Sequence, residues 1–179
     1  MSGAQSLGLR EGVAECLRQF LDEAGIGWEV GVRAGEFVVS LPGEKKLITV
    51  CSVVVGEQSL SISAFVVRNP DENHAAVYAH LLRRNLRLPG LAYAIDSSGD
   101  VYVTGRVPLQ GVSTAYLDQI FGVVLEASDG AFNELLAMGF LESMKKEWAW
   151  RNSRGESTRN LDAFRHLLER PSEGTAPAP

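Results

Sequence analysis

The residues of this chain that could do chemistry are few and widely spaced. Its histidines are His74, His80 and His166, and its cysteines are Cys16 and Cys51. His74 and His80 would lie about 240° apart around a helix, on different faces of it. The cysteines lack the C-x-x-C spacing of a metal or redox site, and two small buried apolar residues explain them better. These residues therefore predict neither a metal site nor a redox centre.

Two further segments can be compared with ligand-binding loops. Residues 25–31 read G-x-G-x-x-x-G and follow a predicted helix, whereas a phosphate-binding glycine loop follows a strand and begins a helix. Residues 96–100 lack the distal glutamate of an EF-hand, and a hairpin turn with Gly99 at positive φ explains them. Metalloprotease, nucleophile-elbow and Walker motifs are absent from the sequence. We therefore expect a protein that is not an enzyme and holds no cofactor.

One cluster of charged residues could bind a partner. Arg83, Arg84 and Arg87 lie near the end of a predicted helix, where they could form a patch for an acidic partner or a phosphate. The alternative is that the negative end of the helix dipole favours cations there. Asn85 lies on the apolar side of the same helix. Because a buried amide needs partners, we expect Asn85 to hydrogen-bond a neighbouring loop or strand end.

The composition is that of a soluble globular protein. The 179 residues are 45% hydrophobic and 22% charged, with a net charge of −5. An acidic chain argues against nucleic acid as the main partner. The longest apolar run, 47–55, is the length of a strand and too short to span a membrane, and the N-terminus lacks the pattern of a secretory signal. We therefore expect a cytoplasmic protein with no membrane or nucleic-acid partner.

The elements that would position these residues follow from hydrophobic periodicity. A first helix ends at Gly25, a second helix is ended by Pro89, and a third begins after Ser113 as its N-cap. The predicted order is a helix, four strands, a helix, two strands, a helix and C-terminal helices. This order predicts an α+β fold, a twisted antiparallel sheet of five or six strands with helices packed on one face. We expect one domain in 1–140, a helical extension in 141–170 and a disordered tail in 171–179.

Two predicted hairpins indicate which residues face the core. In the first, we expect Val55 opposite Ser59, which puts the even-numbered residues 48–54 on the apolar face. In the second, we expect Ile95 opposite Val101. Tyr102 and its neighbours Ala92, Ala94, Thr104 and Arg106 then lie on the other, more polar face, which a partner could contact.

The segment 78–89, YAHLLRRNLRLP, resembles the signature helix of the YbjN-domain family. The similarity continues through the hairpin 94–103 and the third helix to about residue 136. The resemblance implies a fold like that of type III secretion chaperones, which are small, acidic, often dimeric proteins that bind other proteins. The family has no recognised catalytic residues to transfer to this chain.

The resemblance implies a non-enzymatic module, chaperone-like or regulatory, that binds an unidentified protein partner. A homodimer is one form it could take. The expected contact residues are Arg83, Arg84, Arg87, Tyr102 and Arg106, and the expected structural residues are Asn85, Pro89 and Gly99. The alternative is a small-molecule sensor, or an enzyme, with a pocket between the sheet and the helices.

Overall fold

The structure is a computed structural model that describes residues 3–169. The tail 171–179, expected to be disordered, lies outside the described residues. Within the described range, short 3-10 turns occur at Leu109–Gly111 and Arg159–Phe164, and a π-helical turn at Glu126–Gly130. The helices are α1 (Gly3–Glu23), α2 (His74–Asn85), α3 (Thr114–Leu125), α4 (Phe132–Gly139), α5 (Leu141–Arg154) and α6 (Arg165–Leu168). The strands are β1 (Gly27–Val30), β2 (Glu36–Pro42), β3 (Ile48–Val55), β4 (Ser59–Val67), β5 (Ala92–Ile95) and β6 (Val101–Pro108).

The six strands form one antiparallel sheet in the order β1-β2-β3-β4-β6-β5. One face of the sheet is buried against α1–α4, and the opposite face carries half-buried and exposed side chains. The predicted α+β class and the antiparallel sheet are confirmed. The buried sheet face includes Phe37, Val39, Leu41, Cys51, Val53, Val55, Leu60, Ile62, Ala64, Val101 and Val103.

The expected register of the β3–β4 hairpin is wrong by one residue. Val55 pairs with Leu60 instead of Ser59, because the Gly56 N–H donates to the Ser59 carbonyl (3.0 Å) and the loop takes up four residues. The odd-numbered residues 49–55 of β3 therefore face the core, and Ile48 and Val50 are exposed. Since β3 is apolar on both faces, alternation could not determine its register, and the turn did so instead.

The β5–β6 hairpin has the expected register, with Ile95 opposite Val101. Its turn places Gly99 at φ +84°, with the Asn69 carboxamide packed where a Cβ atom would lie. Only glycine reaches this backbone conformation without strain. The turn residues therefore determine the register of this hairpin, whereas the strand residues of the β3–β4 hairpin do not determine theirs.

A second, smaller apolar cluster lies beyond the main core. It consists of Met144 on α5 with Leu161, Phe164 and Leu168 from the segment after it. The proposed domain boundary at residue 140 falls between α4 and α5. The residues after α5 thus pack on α5 through this cluster, which is separate from the core beneath the sheet.

Candidate functional site

The end of α2 lies beside the outer edge of β5, and Asn85 joins the two. The Asn85 Oδ1 accepts a hydrogen bond from the Tyr93 N–H (2.7 Å), and its Nδ2 donates to the Tyr93 carbonyl (3.4 Å). The Tyr93 hydroxyl donates to the Ala127 carbonyl (2.7 Å), and burial raises the pKa of this phenol. Asn85 therefore occupies backbone groups that an edge strand would otherwise leave open.

An apolar groove remains next to this contact, between α2 and β5. We call it the α2–β5 groove; its volume is about 360 Å³. Leu82 and Ile95 in it are 66% and 50% exposed, which is high for large aliphatic side chains. Burial of such surface by a partner is favourable. The groove is lined by Tyr78, Leu81, Leu82, Tyr93, Ala94 and Ile95.

The three arginines at the C-terminal end of α2 differ in their surroundings. Arg84 is half-buried and contacts Glu134 (3.5 Å) and Glu126 (3.7 Å), so it has acidic partners within the protein. Arg83 and Arg87 are exposed, and neither forms an ion pair with any residue in 3–169. Arg83 and Arg87 are therefore the cations at this helix end that remain available to a partner.

Tyr102 and Arg106 lie on the open face of the sheet, away from the helices. Tyr102 pairs with Ala94 across β5 and β6 and packs edge-on against Phe65, with ring centroids 5.6 Å apart. Tyr102 is thus one strand away from the α2–β5 groove. Arg106 lies four residues further along β6, about 13 Å by strand geometry. It lines a separate, wide depression of about 750 Å³ near the β3–β4 turn.

The structure thus brings together only part of the sequence-predicted contact set. Arg83 and Arg87 flank the end of α2, and Tyr102 adjoins the groove through Ala94. Arg106 belongs to a different surface. The groove itself was not predicted from the sequence, because the helical period does not show that Leu82 remains exposed next to β5. The signal for this groove in the sequence was Leu82, a leucine beyond those that a single apolar stripe on the helix needs.

Lys46 is a second position that sequence reasoning missed. Its Nζ donates to the Phe65 and Val66 carbonyls and lies 4.8 Å from the centre of the Phe65 ring. Burial lowers the pKa of this amine. Lys46 lines a mainly apolar pocket of about 480 Å³ under the C-terminal segment. Nothing in the irregular loop sequence before β3 predicted this contact.

Two classes of site find no support in the described residues. No group of three or more histidine, cysteine, aspartate or glutamate side chains within 3–169 is arranged to hold a metal ion. Over the same range, no helix is both long enough and apolar enough to cross a membrane.

The arrangement of helices on one face of an antiparallel sheet is that of type III secretion chaperones. A chain of the HopA1–SchA chaperone–effector complex has a TM-score of 0.51 at 15% identity, covering 67% of this chain and 91% of that one. A chain of the ExsC–ExsE complex gives 0.54 at 15% identity, covering 70% and 94%. YbjN of E. coli gives 0.53 at 17% identity, covering 69% and 91%. At these identities the similarity is one of fold.

The chain belongs to the YbjN family, described as "Putative bacterial sensory transduction regulator", which it matches over residues 14–137. An uncharacterised protein of Mycobacterium leprae is 50% identical over 139 residues, 78% of this chain and 76% of that protein. One of Mycobacterium bovis is 51% identical over 130 residues, 73% of this chain and 71% of that protein. The family assignment made from the helix 78–89 is confirmed.

Proposed function

We propose that this protein is a protein-binding module whose α2–β5 groove takes an acidic, amphipathic segment of a partner. The observation that carries the proposal is the exposure of Leu82 and Ile95 in the groove, together with Arg83 and Arg87, which lie on the solvent-exposed side of the same helix end and have no ion-pair partner within 3–169. An apolar groove on a helix whose exposed side carries free cations favours a segment with apolar anchors and acidic flanks.

The two parts of this surface have different physical roles. Burial of Leu82 and Ile95 supplies the apolar contact, and Tyr102 extends it towards Phe65 on the open sheet face. The arginines lie on the exposed side of the helix end, where charge mainly steers association and sets orientation. We therefore expect the apolar anchors to control the dissociation rate and the arginines to control the association rate.

A partner protein fits this surface better than a second copy of the chain. In a two-fold dimer, each copy presents the same patch, so a dimer formed through this groove would carry Arg83 and Arg87 from both copies at or near one interface. Like charges opposite one another oppose such a contact. The fold of chaperone chains found in complex with an effector, as in HopA1–SchA, supports a heterologous protein partner.

A small-molecule pocket is the alternative, and the pocket beside Lys46 is its best candidate. The polar groups there are already partnered within the protein. Lys46 donates to two backbone carbonyls, and Glu147 accepts hydrogen bonds from Arg151 and Asn160. With these groups engaged, the pocket offers a ligand few polar contacts, so we favour the groove.

Site-specific photo-crosslinking tests the proposal. A photo-reactive phenylalanine analogue replaces Leu82 in the groove or Gln119 on α3, an exposed control position. We expect the Leu82 probe, incubated in a lysate of the source organism, to capture a segment rich in acidic and apolar residues that the Gln119 probe does not capture. Mass spectrometry identifies the crosslinked segment.

Charge reversal then tests the arginines. We expect Arg83→Glu/Arg87→Glu to slow association with the purified partner at least tenfold at low salt. The control Lys146→Glu/Arg159→Glu makes the same change in net charge at exposed positions on other elements and should leave association unchanged. Equal effects of the two pairs would refute the proposal, as would a crosslink from Leu82 to a second copy of this chain.

A further inference from the structure

The segment 159–168 lies on the protein as a short amphipathic ligand would. Its three apolar anchors, Leu161, Phe164 and Leu168, are 5%, 5% and 7% exposed, and the residues between them are mostly exposed. Their spacing of i, i+3 and i+7 places them on one face of the two successive helical turns that make up the segment. The chain thus presents a single apolar stripe to the surface beneath it.

The surface under this segment is a groove on α4 and α5. It is formed by Leu136, Leu141, Met144 and Trp148, and we call it the α4–α5 groove. The segment does not fill its surroundings, since the pocket of about 480 Å³ continues beside it towards Phe65. The apolar surface is therefore larger than its present occupant.

The attachment of the segment is weak. Apart from its apolar contacts, the segment is joined to α5 by a hydrogen bond from Asn160 Nδ2 to Glu147 Oε1 (3.2 Å), and the Ser157 carbonyl just before the segment accepts one from Arg151 Nη1 (3.1 Å). The connection at 155–157 is exposed and begins with Gly155 at φ +68°. Burial of three apolar side chains offsets only part of the conformational entropy lost when roughly ten residues become ordered. Local opening of this segment is therefore within thermal reach.

The segment also lies outside the part of the chain that matches the family. That match ends at residue 137, before α5 begins. The main core reaches Phe140, and the cluster under the segment is separate from it. Detachment of 159–168 would thus expose the α4–α5 groove without disturbing the sheet core.

We propose that the α4–α5 groove is a second docking site, for a partner's amphipathic helix with apolar anchors at i, i+3 and i+7. Residues 159–168 occupy this site as a competing ligand in the same chain. A partner helix binds by displacing them, so this site has lower affinity when the segment is intact. The site is distinct from the α2–β5 groove, and its test does not depend on that proposal.

A labelled peptide of residues 156–169 is the probe, and fluorescence anisotropy with the full chain is the measurement. We expect the variant Leu161→Ser/Phe164→Ser, whose own segment is weakened, to bind the peptide at least tenfold more tightly than the unaltered chain. The control Arg159→Ser/Ala163→Ser changes two exposed positions of the same segment and should match the unaltered chain. A peptide with serine at all three anchors should not bind any of these chains.

Two further measurements test the proposal even if Leu161→Ser/Phe164→Ser folds poorly. Hydrogen exchange on the unaltered chain should show amides of 161–168 exchanging much faster than those of β4 and β6. Met144→Asp, placed in the groove, should abolish binding of the peptide. The proposal is overturned if 161–168 exchanges only with global unfolding, if the weakened variant binds the peptide no better than the unaltered chain, or if binding produces dimers by exchange of this segment.

Discussion

Replacement of Asn85 by alanine tests how the sheet edge is closed. The change removes the acceptor of the Tyr93 N–H (2.7 Å) and the donor to its carbonyl (3.4 Å). Tyr93 is a buried residue on the outermost strand. Both of its outward backbone groups would lose their protein partner, and the rest of α2 would remain in place.

The expected cost follows from these two contacts. The short bond to the N–H carries most of it, because the 3.4 Å contact is long for a hydrogen bond. Leaving a buried backbone group unsatisfied costs about 1–3 kcal/mol. For a chain of this size, each kcal/mol lowers Tm by about 2–4 °C. We therefore expect Asn85→Ala to lower Tm by about 3–10 °C.

Calorimetry measures this change, and Leu86→Ala is the matched control. Leu86 follows Asn85 directly and is 88% exposed, so its truncation should alter the free energy of unfolding by no more than about 0.5 kcal/mol. Light scattering adds a second readout, since an opened strand edge favours association of copies. A Tm for Asn85→Ala within 1 °C of the Leu86→Ala value would refute the reasoning.

Three further predictions concern stability. Ser128→Ala should lower the free energy of unfolding by about 1–3 kcal/mol, which denaturant titration measures. The buried Ser128 hydroxyl donates to the Val124 carbonyl (2.6 Å) and lies 3.1 Å from the Thr49 hydroxyl, which would lose its partner. Hydrogen bonds from Arg33 lower the pKa of Glu36 to about 2, so its stabilisation is complete above its unfolded pKa of about 4.3 and is lost as pH falls towards 2. Glu36→Gln should therefore show a shallower fall in Tm between about pH 5 and pH 2. Gly99→Ala should lower stability by about 1–2 kcal/mol, because φ is +84° there.

Each of these predictions has an internal control. Thr49→Val added to Ser128→Ala should recover part of the loss, since no unpaired hydroxyl remains in the core. Glu29→Gln, at an exposed carboxylate with no ion pair within 3–169, should leave the acid limb of the Tm profile as it is. Ser98→Ala, in the same turn as Gly99, should have little effect on stability. Additive losses at Thr49 and Ser128, or an acid limb unchanged by Glu36→Gln, would contradict the explanations given.

The two hairpins show what the sequence could and could not determine. The turn before β6 carries a glycine at the position that needs positive φ, and its register was predicted correctly. β3 is apolar on both faces, so its alternation left two registers open, and a hydrogen bond inside the turn at Gly56 decided between them. The register of a hairpin is thus predictable where the turn residues require one backbone conformation. It is ambiguous where the pattern of apolar residues is the sole guide.

The candidate site was predictable by residue type but not by arrangement. The sequence places Arg83, Arg84 and Arg87 near the C-terminal end of one helix. It does not show that, of the three, Arg84 forms ion pairs with Glu126 and Glu134 and the other two form none within 3–169. Strand alternation puts Tyr102 and Arg106 on one face, but only the sheet order shows that Tyr102 lies beside the groove. Long-range packing separates residues that look equivalent along the chain.

The contact between Asn85 and Tyr93 also decides how a partner can occupy the α2–β5 groove. Addition of a strand to β5 needs the outward N–H and carbonyl of Tyr93, and Asn85 holds both. A segment in the groove is therefore recognised through its side chains, which contact Leu82 and Ile95, and a helical segment satisfies its own backbone groups at the same time. Asn85→Ala would remove this barrier. The variant should then accept extended segments that the unaltered protein rejects. Its selectivity for the crosslinked partner segment should fall even when binding is measured well below its Tm.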